Sequence, residues 1–452
     1  MDFAFETSDF DTELEDMEVR KVDRFDRVWS GGEGGSIVRT TLIGNVLYYG
    51  AFDGYVYALD LDSGKIKWQT KCDALFDSSP VFYEGLLYLG DREGTFYCLD
   101  EKTGKEIWRF RLGDGMAGYA GMKESIVYTS CRDSNFYAID AKTGILLWKF
   151  KTGRDMCCAP GFYKEMVIFG SFDGYIYCLD SKNGKEMWRV KTGAEIHCPN
   201  GPEFHGKTVF VPSFDSYLYA INAETGKIMW RTKLGDYGVA TSPTIFEEKI
   251  YIGARDGNLY CLNSEGKEVW RFRTGDVVES KPTIFKGLIY FGSEDGYIYC
   301  VDMKGHIVWQ STKTDGQIWD KPKMYKGKIF FGSSDCKVHA IDILTGQELW
   351  SVQTSTLKKT IWSDPYGMFR VEIRKETHIE EAILEEKYKS EKKSKTISLS
   401  DYQIESEYRT ESEYKQKSDY DTSFVMFENV LEVENIWISD STVSRLPLST
   451  WT

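Results

Sequence analysis

The chain has 452 residues, 42% hydrophobic and 15% aromatic, and carries a formal net charge of −14. That apolar content is ample for a large buried core. The acidic balance repels phosphate backbones and argues against nucleic acid as a partner, and no stretch approaches the ~20 apolar residues of a membrane span.

Residues 1–20 read as an acidic N-terminal tail. Eight acids (Asp2, Glu6, Asp9, Asp11, Glu13, Glu15, Asp16 and Glu18) fall in residues 1–18, with no basic residue among them. The segment has neither the basic start nor the apolar run of a signal peptide, so a cytoplasmic location is expected. Residues 24–30, with Trp29 lying 39 positions before Trp68, read as an outer strand.

Eight tryptophans then recur, at Trp68, Trp108, Trp148, Trp188, Trp230, Trp270, Trp309 and Trp350, with spacings of 40, 40, 40, 42, 40, 39 and 41. A period near forty with strand-like interiors marks a propeller array. In the fourth unit the first run begins near Pro160. Turns at residues 164–165, 171–174 and 181–184 then separate runs at 166–170, 175–180 and 185–190. Such runs, rich in Tyr, Phe, Ile and Val and bounded by Asp-Gly or Asn-Gly, are antiparallel strands joined by hairpins. Four strands in about forty residues make one blade. The prediction is all-β: an eight-bladed β-propeller of four-stranded antiparallel blades over residues 21–365. Either residues 24–30 or residues 360–365 are expected to complete a blade begun at the other end of the chain, protecting its edge.

The repeat has a fuller form, Ala-x-Asp-x-x-Thr/Ser-Gly-x-x-x-Trp, at residues 58–68, 138–148 and 340–350. Asn222 replaces the Asp in 220–230, and Cys98 and Cys178 replace the Ala in 98–108 and 178–188. This pattern resembles the tryptophan-docking repeat of the quinoprotein-like (PQQ-like) β-propellers over residues 37–352. The resemblance implies that each Trp packs on the neighbouring blade and that the Thr-Gly turn positions it. Elementary packing asks for the same thing, because a blade cannot bury both faces alone.

The slot held by Ala58, Ala138, Ala220 and Ala340 is held elsewhere by Cys98, Cys178, Cys261 and Cys300. Exchange of Ala and Cys calls for a small buried side chain without a bridging partner, so no disulfide framework is expected. An Asp recurs in the turn between second and third strands (Asp53, Asp133, Asp173, Asp215, Asp256, Asp295, Asp335). Its recurrence assigns it to the turn's own amides rather than to acid–base chemistry.

Residues 366–452 leave the forty-residue grammar. Tyr402, Tyr408, Tyr414 and Tyr420 lie six apart, within an alternation of charged and uncharged positions over residues 401–422 broken only at Gln403. A period of two places the tyrosines on one strand face. The segment reads as a small appendage, mainly β or partly disordered.

The loops between blades bring two positions each to the inner rim: Asp77/Ser78, Ala117/Gly118, Cys157/Cys158, His197/Cys198, Ala240/Thr241, Glu279/Ser280, Trp319/Asp320 and Trp362/Ser363. Variation confined to one ring of a repeating frame is what a binding face shows, and what unconstrained loops show. Asp77, Thr241, Glu279, Trp319, Asp320 and Trp362 are its candidate contacts. Cys157, Cys158, His197 and Cys198, at matching positions of neighbouring blades, form a candidate zinc set, with buried free thiols and a chance His as the alternative.

Adjacent Cys157 and Cys158 are also similar to the neighbouring cysteines of some quinoprotein dehydrogenases. Repeats of 39–42 residues, however, leave almost no room for inserted walls round a deep pocket, and no calcium ligands can be placed. No nucleophile–His–acid set appears. The expectation is a non-enzymatic protein-interaction scaffold with a protein partner and no cofactor. A small-ligand or metal sensor using the central funnel is the first alternative, and a PQQ- and calcium-dependent oxidoreductase the second.

Overall fold

In the computed structural model the described residues are 39–76, 78–113 and 117–353, with the side chains at 117 and 118 left out. The acidic tail, the strand expected at 24–30, residues 360–365, Trp362 and the 366–452 appendage lie outside them. Within them are eight four-stranded antiparallel sheets and no helix.

The first blade runs β1 (Thr40–Ile43), β2 (Val46–Gly50), β3 (Tyr55–Asp60) and β4 (Lys65–Lys71). Seven more blades follow over residues 81–111, 117–151, 161–191, 203–233, 244–273, 283–310 and 323–353. Every blade is built from four consecutive strands. The expectation of a blade shared between the two ends is therefore corrected: blades 1 and 8 are each complete without residues 24–30 or 360–365.

The strand chemistry explains the layering. Second strands such as Val46–Gly50 are buried throughout and third strands such as Tyr55–Asp60 nearly so, because both faces meet a neighbouring blade. Outer strands alternate, as in Glu106–Arg111. Eight apolar clusters each join one blade to the next, and the last joins Phe330, Val338 and Ala340 of blade 8 to Leu47, Tyr49 and Leu59 of blade 1. The ring is thus closed by packing.

The small slot of the third strand faces the Trp directly: Ala58 pairs with Trp68, Cys98 with Trp108 and Cys178 with Trp188, and a β-bulge follows each pair. All ten cysteines are free thiols, and all are buried. The indole Nε1 of Trp68 donates to Glu101 O at 3.0 Å and that of Trp148 to Ser181 O at 3.1 Å, each in the following blade. The ring face lies on the glycine of that blade's last turn. A Cβ on Gly104 would sit 2.4 Å from Trp68 Cε3, and its φ of 69° already favours glycine. Seven tryptophans have such a glycine against them; at the closing seam Gly64 has nothing within 4 Å of a Cβ.

The recurring Asp is a pin. Asp173 Oδ1 accepts the Tyr175 N–H at 2.9 Å and its Oδ2 accepts the Tyr177 hydroxyl at 2.7 Å. The same Tyr–Asp bond recurs in seven blades, with Asp91 serving blade 2 from the first position of a turn of the same length. Blade 8 differs: His339 replaces the tyrosine, its Nε2 2.9 Å from Asp335 and its Nδ1 2.8 Å from Glu348.

Candidate functional site: the propeller axis

Two rings of side chains surround the axis on the face formed by the second-to-third-strand turns. The inter-blade loops supply a floor, and this floor is buried where a solvent-facing rim was expected. Ser78, Cys157, Cys158, His197, Cys198, Ala240, Thr241, Glu279, Ser280, Trp319 and Asp320 are all at most 3% exposed. The cause is convergence: first strands crowd at the hub, and each loop residue lies under its neighbours. Asp77 and Trp362 fall outside the described residues.

Above the floor lies a ring that sequence reasoning missed. It consists of the residue beside the recurring turn Asp: Phe52, Arg92, Arg132, Phe172, Phe214, Arg255, Glu294 and Ser334. Six of these are partly exposed, while Phe52 and Phe172 are buried. The signal was present in the sequence, since this turn position alternates among aromatic, basic, acidic and small residues from blade to blade.

The rings contact each other through charge and aromatic faces. Arg255 Nε lies 3.3 Å from Glu279 Oε1, and its guanidinium sits 5.4 Å over the Phe214 ring. Phe214 stacks on His197 at 6.1 Å and 5°, with Phe172 on the other side at 6.1 Å. Trp319 packs against Phe52 and donates from Nε1 to Glu294 Oε1 at 3.2 Å; Gln317 donates to the other oxygen at 2.8 Å. Burial, reinforced by Glu279, pushes the Glu294 carboxyl up to about 8 against the opposing pull of Arg255. Burial, with Arg39, Arg255 and Arg132 nearby, drives His197 well below its usual value and keeps it neutral.

Asp320 has a different task from a binding contact. Its carboxylate accepts the Thr40 N–H at 3.1 Å, the Thr40 hydroxyl at 2.6 Å and the Gly332 N–H at 3.1 Å, and it pairs with Lys323. Thr40 opens blade 1, so Asp320 clasps the two ends of the ring.

The four candidate zinc ligands divide between two clusters. Cys157 packs with Tyr119, Ala159 and Phe172, whereas Cys158 and Cys198 belong to the core between blades 4 and 5. Cys158 Sγ donates to Ile196 O at 3.1 Å and accepts the Cys198 N–H at 3.2 Å; Cys198 Sγ lies 3.2 Å from Ser242 Oγ. Burial pushes the Cys158 thiol well up and the Cys198 thiol up to about 12. Among the described residues no three His, Cys, Asp or Glu side chains converge as a metal site. The Cys158 and Cys198 thiols are spent on bonds to Ile196, the Cys198 amide and Ser242.

Ring, docking tryptophans and axial face together define a propeller of the Trp-docked class. The family model described as beta-alanine-activating enzyme, beta-propeller, matches residues 158–383, half of the chain. A second, described as outer membrane protein assembly factor BamB, matches residues 15–111, 52–171 and 92–213. The chain belongs to the PQQ-like β-propeller repeat family, with the beta-alanine-activating enzyme propeller as the model that spans half of it. No curated protein matches it in sequence. Among solved structures, the computationally designed Ika8 protein aligns with a TM-score of 0.62 and 17% identity over 70% of this chain and 100% of its own. BamB from Moraxella catarrhalis aligns with a TM-score of 0.58 and 19% identity over 67% of this chain and 92% of its own. At such identities the likeness is one of fold.

Proposed function

We propose that this propeller is a non-enzymatic protein-interaction scaffold that receives its partner on the axial face. The observation that carries the reading is the ring at Phe52, Arg92, Arg132, Phe172, Phe214, Arg255, Glu294 and Ser334. Docking Trp, small slot and turn Asp repeat round the frame, while this ring changes from blade to blade and most of it reaches solvent. Arg and aromatic residues together are the composition of protein-binding hot spots. The match to a family described as an assembly factor supports the same reading. So does the chemistry of the hub: burial holds the Cys198 thiol at about 12, leaving it no thiolate at neutral pH. Ten free, buried cysteines support a reducing, cytoplasmic setting. The acidic tail and residues 366–452 would add secondary contacts.

The test is affinity capture from the protein's own cells with three full-length chains: wild type, Arg92→Glu combined with Glu294→Lys, and Lys142→Glu on an exposed outer turn. The scaffold reading expects the partner to be lost from the double variant and kept by the outer-turn variant. Equal capture by all three would move the interface off the axis and end the reading.

A further inference from the structure

Each blade ends in an outer strand whose far edge pairs with no strand among the described residues. Such an edge offers a row of backbone N–H and C=O groups to any extended chain. In blades 2 to 6 one face of that strand carries an apolar residue and two basic ones, all exposed, as Ile107, Arg109 and Arg111 do in Glu106–Arg111. In four of these blades a carboxylate close by in the chain meets part of the charge. Glu106 pairs with Arg109 at 2.6 Å and Glu268 with Arg271 at 2.8 Å; Glu186 does the same for Arg189, and Asp236 takes Lys233 at 2.7 Å in blade 5.

The outer strand Leu146–Lys151 of blade 3 differs. Leu146 stands where blades 2, 4 and 6 have the glutamate, and no carboxylate pairs with Lys149 or Lys151 among the described residues. Lys151 Nζ donates to the Asp133 carbonyl at 2.8 Å, a neutral acceptor that leaves its charge uncompensated. On the same face Leu147 is 46% exposed. This edge is open, apolar and positively charged at once.

The chain carries its complement. Residues 9–15, outside the described part, read Asp-Phe-Asp-Thr-Glu-Leu-Glu. Acids fall on every odd position and Phe10, Thr12 and Leu14 on the even ones, so an extended backbone sorts them onto opposite faces. In an antiparallel register with Asp11 opposite Lys149, Asp9 meets Lys151 and Phe10 meets Phe150. Phe150 is half-buried, edge-on to Tyr177 at 5.5 Å, and leaves part of its surface for a further ring. Opposite charges and aromatic pairs facing each other across two strands stabilise their pairing. Reach is no obstacle. The 24 positions from Glu15 to Arg39 extend to about 80 Å, more than the width of about 50 Å expected for a ring of ~300 residues.

We infer that residues 9–15 of this chain add to blade 3 as a fifth, antiparallel strand along Leu146–Lys151, with the acids against Lys149 and Lys151 and Phe10 against Phe150. Main-chain bonds along the edge give the affinity, and the alternation of acid and apolar side chains selects this edge over the others. The segment lies on the rim, so the inference goes beyond the axial reading and does not rest on it.

The test is zero-length carbodiimide crosslinking of the dilute full-length chain, with the joined peptides of the monomer mapped by mass spectrometry. Asp9, Asp11 or Glu13 should be joined to Lys149 or Lys151 at several times the yield seen with Lys71, Lys191 or Lys233, the matching outer-strand lysines of blades 1, 4 and 5. A variant with Phe10→Asp, Asp11→Phe, Thr12→Glu and Glu13→Thr keeps the composition and charge of the tail but breaks its period of two. It should lose the preference for blade 3. Because every exchange lies outside the ring, folding of the propeller is not at stake. Equal yields at all outer-strand lysines, no product at Lys149 or Lys151, or an exchanged variant that crosslinks as wild type does would overturn the strand. Products found only in dimers would assign the edge to a second copy and overturn the intrachain pairing. Partner capture on the axial face is read separately, so either result can fail without the other.

Discussion

Replacing Asp320 by alanine should loosen the ring where its two ends meet. The carboxylate is 1% exposed and accepts from Thr40 N–H, Thr40 hydroxyl and Gly332 N–H while pairing with buried Lys323. Removing one partner of a buried charge pair costs about 3–5 kcal/mol, because the other charge stays behind uncompensated. Lys323 is already pushed down to about 8 by burial, and Asp320 is what opposes that fall. Unfolding a ring of ~300 residues at about 2.1 cal/mol/K per residue carries an entropy near 0.6 kcal/mol/K, so the midpoint should drop by about 5–8 °C. Calorimetry of Asp320→Ala beside Asp62→Ala provides the comparison. Asp62 also bridges blades 8 and 1, through Lys326 and Tyr325, but as an exposed pair that solvent screens. Its loss should leave the midpoint close to wild type. Equal shifts for the two variants, or a drop under 1 °C for Asp320→Ala, would refute the clasp.

Three further outcomes follow from the same frame. Trp148→Ala should cost about 3 kcal/mol by opening a cavity against Gly184, and Trp350→Ala should cost less, because Gly64 across the seam stands in open space; urea denaturation midpoints compare them. Burial alone would lower the His339 pKa, but Asp335 and Glu348 outweigh it and the net shift is upward. The stability gained is therefore full below the unfolded value of about 6.5 and lost as pH rises through the folded value, so wild type should weaken on going to pH 9 while His339→Tyr, which restores the pin of the other blades, stays flatter. Glu294 is likewise raised, to about 8, so it too weakens the fold as pH rises from about 4.5 through 8, and Glu294→Gln should narrow the gap between midpoints measured at pH 6 and pH 9.

What repeats was legible in the sequence, because periodicity exposes it. The Trp spacing gave eight blades, the Ala/Cys exchange gave the small slot opposite the indole, and the recurring Asp gave the turn. Asp91 was overlooked because the second blade's turn places its pin two residues earlier relative to the tyrosine. Ring closure had no periodic signal: Asp320 and Thr40 are 280 positions apart, and neither belongs to the repeating grammar. The four Cys and His positions aligned correctly between blades, yet Cys157 and Cys158, adjacent in the loop before the strand Gly161–Tyr163, enter different clusters. The inter-blade loops looked like a surface because they vary. Their burial comes from the crowding of eight first strands at one hub, a property of the closed ring rather than of any one repeat.

Site-specific photocrosslinking tests the central claim most directly. A photoreactive residue at Arg92, on the axial ring, is compared in native cells with one at Thr143, on an exposed outer turn. The scaffold reading predicts one dominant protein adduct from position 92 and none from position 143. Adducts from position 143 alone, or from neither position while the chain still copurifies with a partner, would contradict it.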